Sequence, residues 1–281
     1  MKTISAHGAE IPALGFGTFQ MEEDEAEESV REALDIGYRH IDTAQIYGNE
    51  AGVGRAIAAS SVDRDDIFLT TKVWPDYFAP KDFRDSVDES LRKLQTDRVD
   101  LLLLHWPKFD GPMAPTVNAL NQVHDDGKAL HIGVSNFTVD LLTRARNQSA
   151  APLVTNQVEY HPFLRQTPVL DAVREAGMML TAYSPLARGK VLDSEVLQDI
   201  GARHGKSPVQ VSLRWLLQQD AVSAIPKASS SSHRRANFEV FDFELSDDEM
   251  TRIHDLARPD GRLISPSTLA PNWDDAWAEQ A

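Results

Sequence analysis

The sequence predicts an α/β protein: a single (β/α)8 TIM barrel over residues 1–281, with an N-terminal β-hairpin and two extra helices. Three observations lead there. Eight short apolar runs, mostly rich in β-branched residues, recur along the chain. Longer amphipathic stretches separate them, and strand–helix alternation builds a parallel sheet whose strands, covered on both faces, read as continuous apolar runs. No Pro-, Gly- or Ser-rich linker divides the 281 residues, a length at which eight βα units favour one closed barrel over an open sheet.

In chain order, residues 1–11 precede the first unit, and the turn at 6–9 around its glycine predicts a hairpin across the barrel floor. Residues 14–18 form the first strand, a weak one because it holds two glycines. The remaining strands are 38–42, 67–72, 99–105, 129–134, 154–158, 178–182 and 222–225. Helical stretches between them include 25–36, 82–94, 116–126, 169–175 and 194–204, while 208–219 and 246–256 exceed one helix per strand. Ser207 before Pro208 is an N-cap with proline at the first helical position. Ser246 and Glu249 form a capping box. The acidic run 22–28 falls at a helix start, where negative charge suits the dipole and also makes an ordinary solvated face. The serine run 229–232 reads as a loop.

Composition narrows the function. With 42% hydrophobic and 25% charged residues the chain is neither disordered nor collagen-like nor a coiled coil. A net charge of −15 argues against nucleic acid or an anionic membrane as partner. Asp outnumbers Glu 27 to 16 and Arg outnumbers Lys 19 to 9, which fits hydration in high salt or simply an acidic cytosolic enzyme; both stay open. The absence of cysteine excludes disulfides, thiolate catalysis and Cys-ligated metals. The N-terminal residues lack the apolar core of a signal peptide, and the longest tight apolar run, 101–104, is too short to span a bilayer, so the expected location is the cytoplasm.

Chemistry in a barrel sits at the C-terminal ends of its strands. Nearly every predicted strand delivers a polar residue there: Asp42, Lys72, His105, Ser135 with Asn136, Gln157, Tyr183 with Ser184, and Lys227. Singly each has a bland reading: a cap for Asp, a snorkelling stem for Lys, a hydrogen-bonded core residue for His. Jointly they do not, because burying Asp42 and Lys72 unpaired costs several kcal/mol, and adjacent strands let them pair. Tyr47, five residues past Asp42, adds a phenol that a neighbouring ammonium would bring toward neutrality as a general acid. His105 is placed to donate to a substrate oxygen or to orient that phenol. The set suits protonation of an oxygen as charge develops on it, with hydride supplied from elsewhere. Gly15-Phe16-Gly17-Thr18-Phe19-Gln20 lacks the third glycine of a Rossmann fingerprint, and no Walker A sequence occurs. His131 and His161 stand isolated, and no metal is expected.

These residues resemble the aldo-keto reductases, specifically the 2,5-diketo-D-gluconate reductase-like group of bacteria and archaea. The resemblance runs almost end to end. It is carried by Gly37-Tyr38-Arg39-His40-Ile41-Asp42-Thr43-Ala44 through Tyr47-Gly48-Asn49-Glu50, then Thr71-Lys72-Val73-Trp74, Leu104-His105-Trp106-Pro107, Gly133-Val134-Ser135-Asn136-Phe137, Asn156-Gln157 and Ile225-Pro226-Lys227. It implies a catalytic tetrad of Asp42, Tyr47, Lys72 and His105: Tyr47 protonates the carbonyl oxygen, Lys72 paired to Asp42 lowers its pKa, and His105 orients the carbonyl. It implies NADP(H) extended across the barrel mouth, with Gly17 and Thr18 against it. Ser135, Asn136 and Gln157 would hold the nicotinamide carboxamide, Tyr183 would stack on the ring, and Ser184, Leu186 and Arg188 would wrap the pyrophosphate. Lys227, with Ala228, Ser229, His233 and Asn237, would hold the adenosine 2′-phosphate end. Phe19, Trp74 and Trp106 match aromatic substrate-pocket positions. One departure stands out: six residues past Lys227, where the family usually has an arginine on the 2′-phosphate, this chain has His233, with Arg234 one position late and Ala228 where a serine is usual. NAD(H) therefore stays open beside NADP(H). The tail 266–275, with Trp273, falls where the family varies its substrate loop.

The resemblance implies NADPH-dependent reduction of a small-molecule aldehyde or ketone by a monomer. Its alternative is a non-catalytic NADP(H)-binding regulatory module, as in the potassium-channel β subunits that share the fold; the intact tetrad argues against it. A Schiff-base aldolase acting through Lys72 is a third reading, and Asp42 opposes it by keeping the amine charged.

Overall fold

The computed structural model describes residues 2–274. β1 (Thr3–Ala6) and β2 (Ala9–Pro12) form the expected hairpin, with Ile4 opposite Ile11. His7 and Gly8 make its turn at φ 48° and 88°, the positive values a two-residue hairpin loop requires. Lys2 ties the hairpin to the barrel, its ammonium donating to Leu217 O at 2.7 Å.

Eight parallel strands follow: β3 (Phe16–Gly17), β4 (His40–Asp42), β5 (Phe68–Val73), β6 (Val99–Leu104), β7 (Ala129–Ser135), β8 (Leu153–Glu159), β9 (Met179–Tyr183) and β10 (Val222–Ala224). Each pairs with the next in chain order. The ring closes where Leu14 bridges Ala224, with Gly15 N–H donating to Ala224 O at 2.9 Å and Gly17 N–H to Pro226 O at 3.1 Å. The glycines that weaken 14–18 as a strand signal are what closure needs. A Cβ on Gly17 would sit 2.9 Å from Ile225 O, and one on Gly15 would sit 2.8 Å from the His40 ring.

Ten helices are described: α1 (Glu23–Ile36), α2 (Glu50–Ala58), α3 (Pro80–Leu94), α4 (Ala114–Asp125), α5 (Val139–Gln148), α6 (Thr167–Glu175), α7 (Glu195–His204), α8 (Pro208–Gln218), α9 (Ser231–Phe238) and α10 (Asp247–His254). Both predicted caps form: Ser207 with Gln210 starts α8, and Ser246 with Glu249 starts α10. Two extra helices exist, but one differs from the expected pair. α8 packs against β10 with every residue from 210 to 217 buried, so it is the ring helix of the seventh unit. The extra one is α7, which buries only Leu197, Ile200 and Gly201 and lies outside α8. His204 and Arg252 hold it to α10, by contacts to Glu249 at 3.0 Å and Asp199 at 2.8 Å. The serine run is also shorter as a loop than predicted, because Ser230 caps α9 and the helix begins at Ser231. Among the described residues no helix is long and apolar enough to cross a membrane.

Apolar side chains fill the layer between sheet and helices, but the barrel interior is partly polar. Thr155, Thr181 and Ser223 join their hydroxyls at 3.0 and 3.1 Å, and His40 contacts Thr70 at 3.3 Å and Pro12 O at 3.2 Å. Every one of these groups is paired, as buried polar groups must be. The polar layer lies directly below the strand ends.

Helix α2 shows how tightly the ring is drawn. Gly52 faces α1 so closely that a Cβ would lie 2.1 Å from Glu23 O. Alanine at this position gains helix propensity of about 1 kcal/mol, but it meets backbone, which cannot rotate aside. Gly52→Ala is expected to destabilise the fold by about 1–3 kcal/mol, the usual cost of overpacking. A rise in the urea midpoint of this variant would show that α1 yields freely.

Candidate active site

Lys72 is fully buried, with 0% of its surface exposed. Its ammonium donates to Asp42 Oδ1 at 2.5 Å and to Thr43 O at 2.7 Å, and Gln157 Nε2 donates to Asp42 Oδ2 at 2.8 Å. Sheet register explains the meeting: Asp42 on β4 lies opposite Thr70, and Lys72 stands two residues further up β5 on the same face. Burial lowers the Lys72 pKa, and the Asp42 carboxylate pushes back in favour of the charged form.

Tyr47 sits on a short 3-10 turn, Gln45–Tyr47, just after β4. Its ring centre is 5.1 Å from Lys72 Nζ, 5.1 Å from the Phe19 ring and 5.7 Å from the His105 ring. The phenol differs from the sequence expectation. Burial, and then the Asp42 carboxylate, raise its pKa well above the ordinary value, outweighing any downward pull from Lys72. Tyr47 is therefore held protonated, the form a proton donor needs. His105 shifts the other way: burial and the Lys72 charge drop its pKa well below the ordinary value, leaving a neutral imidazole. Its Nδ1 is buried without a partner.

The sequence reading missed Gln45. Its amide donates to Ser86 O at 3.2 Å and Ser90 Oγ at 3.1 Å on α3, and its carbonyl accepts from Trp74 N–H at 2.9 Å. This one side chain fixes both the turn carrying Tyr47 and the loop carrying Trp74. A glutamine in a loop gives no sequence signal of such reach.

Asp42, Tyr47 and His105 line one lobe of a groove across the barrel mouth, with a cavity of about 470 Å³. Trp74 and Trp106 wall it, as expected, and Ile46, Ile264 and Leu269 add apolar surface that the sequence did not single out. A second lobe of about 730 Å³ contains Leu186, Arg188, Ala228, Ser229, His233 and Asn237. Phe19, Ser184, Pro185 and Lys227 belong to both lobes, so the groove is continuous. Gly17 and Tyr183 face the first lobe. Thr18 faces neither; it is buried, its hydroxyl donating to Asp42 O at 3.1 Å.

Ser135, Asn136 and Gln157 come together beside Tyr183. Ser135 Oγ donates to Gln157 O at 2.8 Å, Asn136 Nδ2 to His105 O at 2.9 Å, and the Tyr183 hydroxyl to Asn136 Oδ1 at 2.7 Å. Asn136 takes a left-handed φ of 66°, which asparagine tolerates better than most residues. At the far end of the groove His233 is exposed, while Arg234 is buried and turned away. Arg234 pairs with Glu32 on α1 and donates to Ser29 Oγ at 3.1 Å and Ala228 O at 3.0 Å, so it does not replace the arginine missing at 233.

Residues 13–258 match the aldo/keto reductase family. The chain belongs to this family. Among curated relatives, it is 40% identical to "Methylglyoxal reductase DkgB" of Escherichia coli O157:H7, over 94% of this chain and 99% of that protein. It is 42% identical to "Glyoxal reductase" of Bacillus subtilis (strain 168), over 95% and 97%. Among solved structures, a presumed 2,5-diketo-D-gluconic acid reductase B superposes with a TM-score of 0.96 at 53% identity, covering 98% of both chains. This aldo-keto reductase is thus an oxidoreductase whose relatives reduce carbonyl compounds.

The buried pair makes a stability prediction. Lys72→Met leaves the Asp42 carboxylate buried against Gln157 alone and is expected to cost about 3–5 kcal/mol. Neutralising the partner as well, in Asp42→Asn/Lys72→Met, should cost less than the single change. Urea unfolding of both variants checks this; a double variant no more stable than the single would mean that lost packing, and not lone charge, sets the cost.

Proposed function

We propose that this reductase converts small aldehydes and ketones to alcohols with NADPH as reductant and Tyr47 as general acid. The observation supporting this most strongly is Tyr47, held protonated beside the buried Asp42–Lys72 pair and a neutral His105, at one end of a continuous groove. The residues present fit a dinucleotide. Tyr183 offers a ring on the groove, with Ser135, Asn136 and Gln157 next to it; Ser184, Leu186 and Arg188 line the middle; Lys227, Ser229 and His233 meet at the far lobe. A bound nicotinamide supplies hydride to the carbonyl carbon.

The chain's own residues do the rest. His105, neutral, donates a hydrogen bond that orients the carbonyl oxygen. The Tyr47 phenol gives its proton to that oxygen as negative charge develops there. Lys72, kept charged by Asp42, faces the phenolate that remains and stabilises it. Thr43 O and Gln157 hold the pair in place, so little reorganisation accompanies the proton transfer. Trp74, Trp106 and Phe19 present an apolar wall to the substrate and limit water. This reading takes the chain as one catalytic unit, working as a monomer in the cytoplasm. A carbonyl panel including glyoxal, methylglyoxal and 2,5-diketo-D-gluconate, followed by loss of NADPH absorbance, tests it; no turnover of any member overturns it.

Tyr47→Phe is expected to lower kcat by about 10²–10⁴-fold, the usual worth of general acid catalysis, with NADPH affinity measured by fluorescence nearly unchanged. A variant keeping more than about a third of wild-type kcat would remove Tyr47 from the role, given that expected loss.

His233 sets the second expectation. A hydrogen bond from a fixed charge contributes about 1.5–3 kcal/mol, and histidine carries that charge only when protonated. His233→Arg should therefore raise the NADPH/NADH ratio of kcat/KM about ten- to a hundredfold. A ratio unmoved by the substitution would show that position 233 does not face the phosphate.

A further inference from the structure

We propose that Glu159 is a positioning residue that sets substrate selectivity by clamping the C-terminal strap against the barrel mouth. The inference rests on the carbonyl-reductase reading above. Glu159 ends β8, two residues past Gln157, and is fully buried. Among the described residues its carboxylate accepts three hydrogen bonds: from Leu263 N–H at 2.8 Å and His161 Nε2 at 3.0 Å on Oε1, and from Ile264 N–H at 2.9 Å on Oε2. His161 Nδ1 accepts from Phe163 N–H at 3.3 Å, which fixes the tautomer and leaves Nε2–H to donate to the carboxylate.

Two adjacent backbone amides some hundred residues along the chain thus converge on one buried carboxylate. The strap they belong to supplies Ile264, Pro266 and Leu269 to the catalytic lobe, facing the end where Tyr47 and His105 lie. Before the clamp, Gly261 passes so close to Phe163 that a Cβ would lie 1.7 Å from its carbonyl oxygen. After it, Trp273 packs edge-on to Trp106 at 6.2 Å under the Arg262 guanidinium at 3.9 Å, and Asp274 accepts from Val139 N–H at 2.8 Å. Those contacts hold the ends of the strap. Between those ends Glu159 holds the backbone at Leu263 and Ile264, with Trp273 Nε1 donating to Ser265 Oγ at 3.0 Å just beyond, and so bears on how far Ile264 and Leu269 reach into the pocket. Aspartate, shorter by one methylene, would draw the strap down; glutamine would turn an N–H donor toward a backbone N–H and push it away.

The test compares Glu159→Gln and Glu159→Asp with the unaltered chain. In Glu159→Gln the amides of Leu263 and Ile264 should exchange hydrogen at least about tenfold faster, as expected when a local opening becomes easier. KM for a bulky substrate such as phenylglyoxal should fall about fivefold or more relative to glyoxal as the strap recedes and the pocket widens, on the scale of one weakened hydrogen bond. NADPH affinity and kcat with glyoxal should stay near wild type. Glu159→Asp should restore amide protection while keeping selectivity for the smaller substrate. Unchanged exchange at 263 and 264, or an equal loss for both substrates with a lowered Tm, overturns the proposal and leaves Glu159 a structural residue. Should Glu159→Gln not fold, the unaltered chain still decides: the amides of Leu263 and Ile264 must be far better protected than those of Ser265 and Ser267, and equal exchange overturns the clamp. Failure of the reductase reading itself would look different, as no turnover of either substrate with amide protection intact.

Discussion

A lysine with no exposed surface must be answered by its surroundings, and the upper part of this barrel is arranged around that demand. Lys72 meets Asp42, Asp42 meets Gln157, and the backbone carbonyl of Thr43 takes a second ammonium proton. Three strands are therefore tied at one height by a charge that cannot leave. An ion pair of this kind is weak support for stability, since well-packed apolar residues would serve as well. Its retention makes sense as a device for holding one positive charge, dry and immobile, beside a phenol. Held in the same buried layer, that charge adds to burial in pushing His105 towards neutrality.

Much of this is legible in the sequence, and for a definite reason. Strands buried on both faces exclude polar side chains, so an Asp, Lys or His at the end of an apolar run marks the rim of the sheet. Eight such runs, with polar residues gathered at one end, predict both the barrel and the place of its chemistry. The fold is α/β with eight parallel strands in chain order, as that pattern required. Even the weak first strand is informative in retrospect, because its glycines are demanded by closure against Ile225 and His40.

What was not legible depends on contacts between distant segments. Helices α7 and α8 both look amphipathic, and only the barrel decides that α8, buried on nearly all sides, belongs to the ring. A neighbouring ammonium suggested a lowered phenol pKa at Tyr47, but depth of burial and a nearby carboxylate dominate. Gln45 and Glu159 carried no signal because their partners lie on α3 and in the C-terminal strap, about forty and one hundred residues away. In each case local pattern gives the element, and long-range geometry gives its role.

Residues 233 and 234 show how sharply helix phase separates two neighbours. A step of one residue turns a side chain about 100° around the axis, since a helix has 3.6 residues per turn. On α9 that rotation carries position 233 to the solvent side of the far lobe and position 234 inward onto α1, where Glu32, Ser29 and two backbone carbonyls take its guanidinium. Arg234 is spent on the scaffold: releasing it would strip Glu32 of its guanidinium, leaving the Ser231 hydroxyl on the other oxygen, and would take a donor from the carbonyls of Ala228 and Ser229. An arginine one position late is consequently no substitute for one on the groove. The basic side chains lining this lobe are instead Arg188 and Lys227, the latter 3.7 Å from Glu25, with His233 beside them.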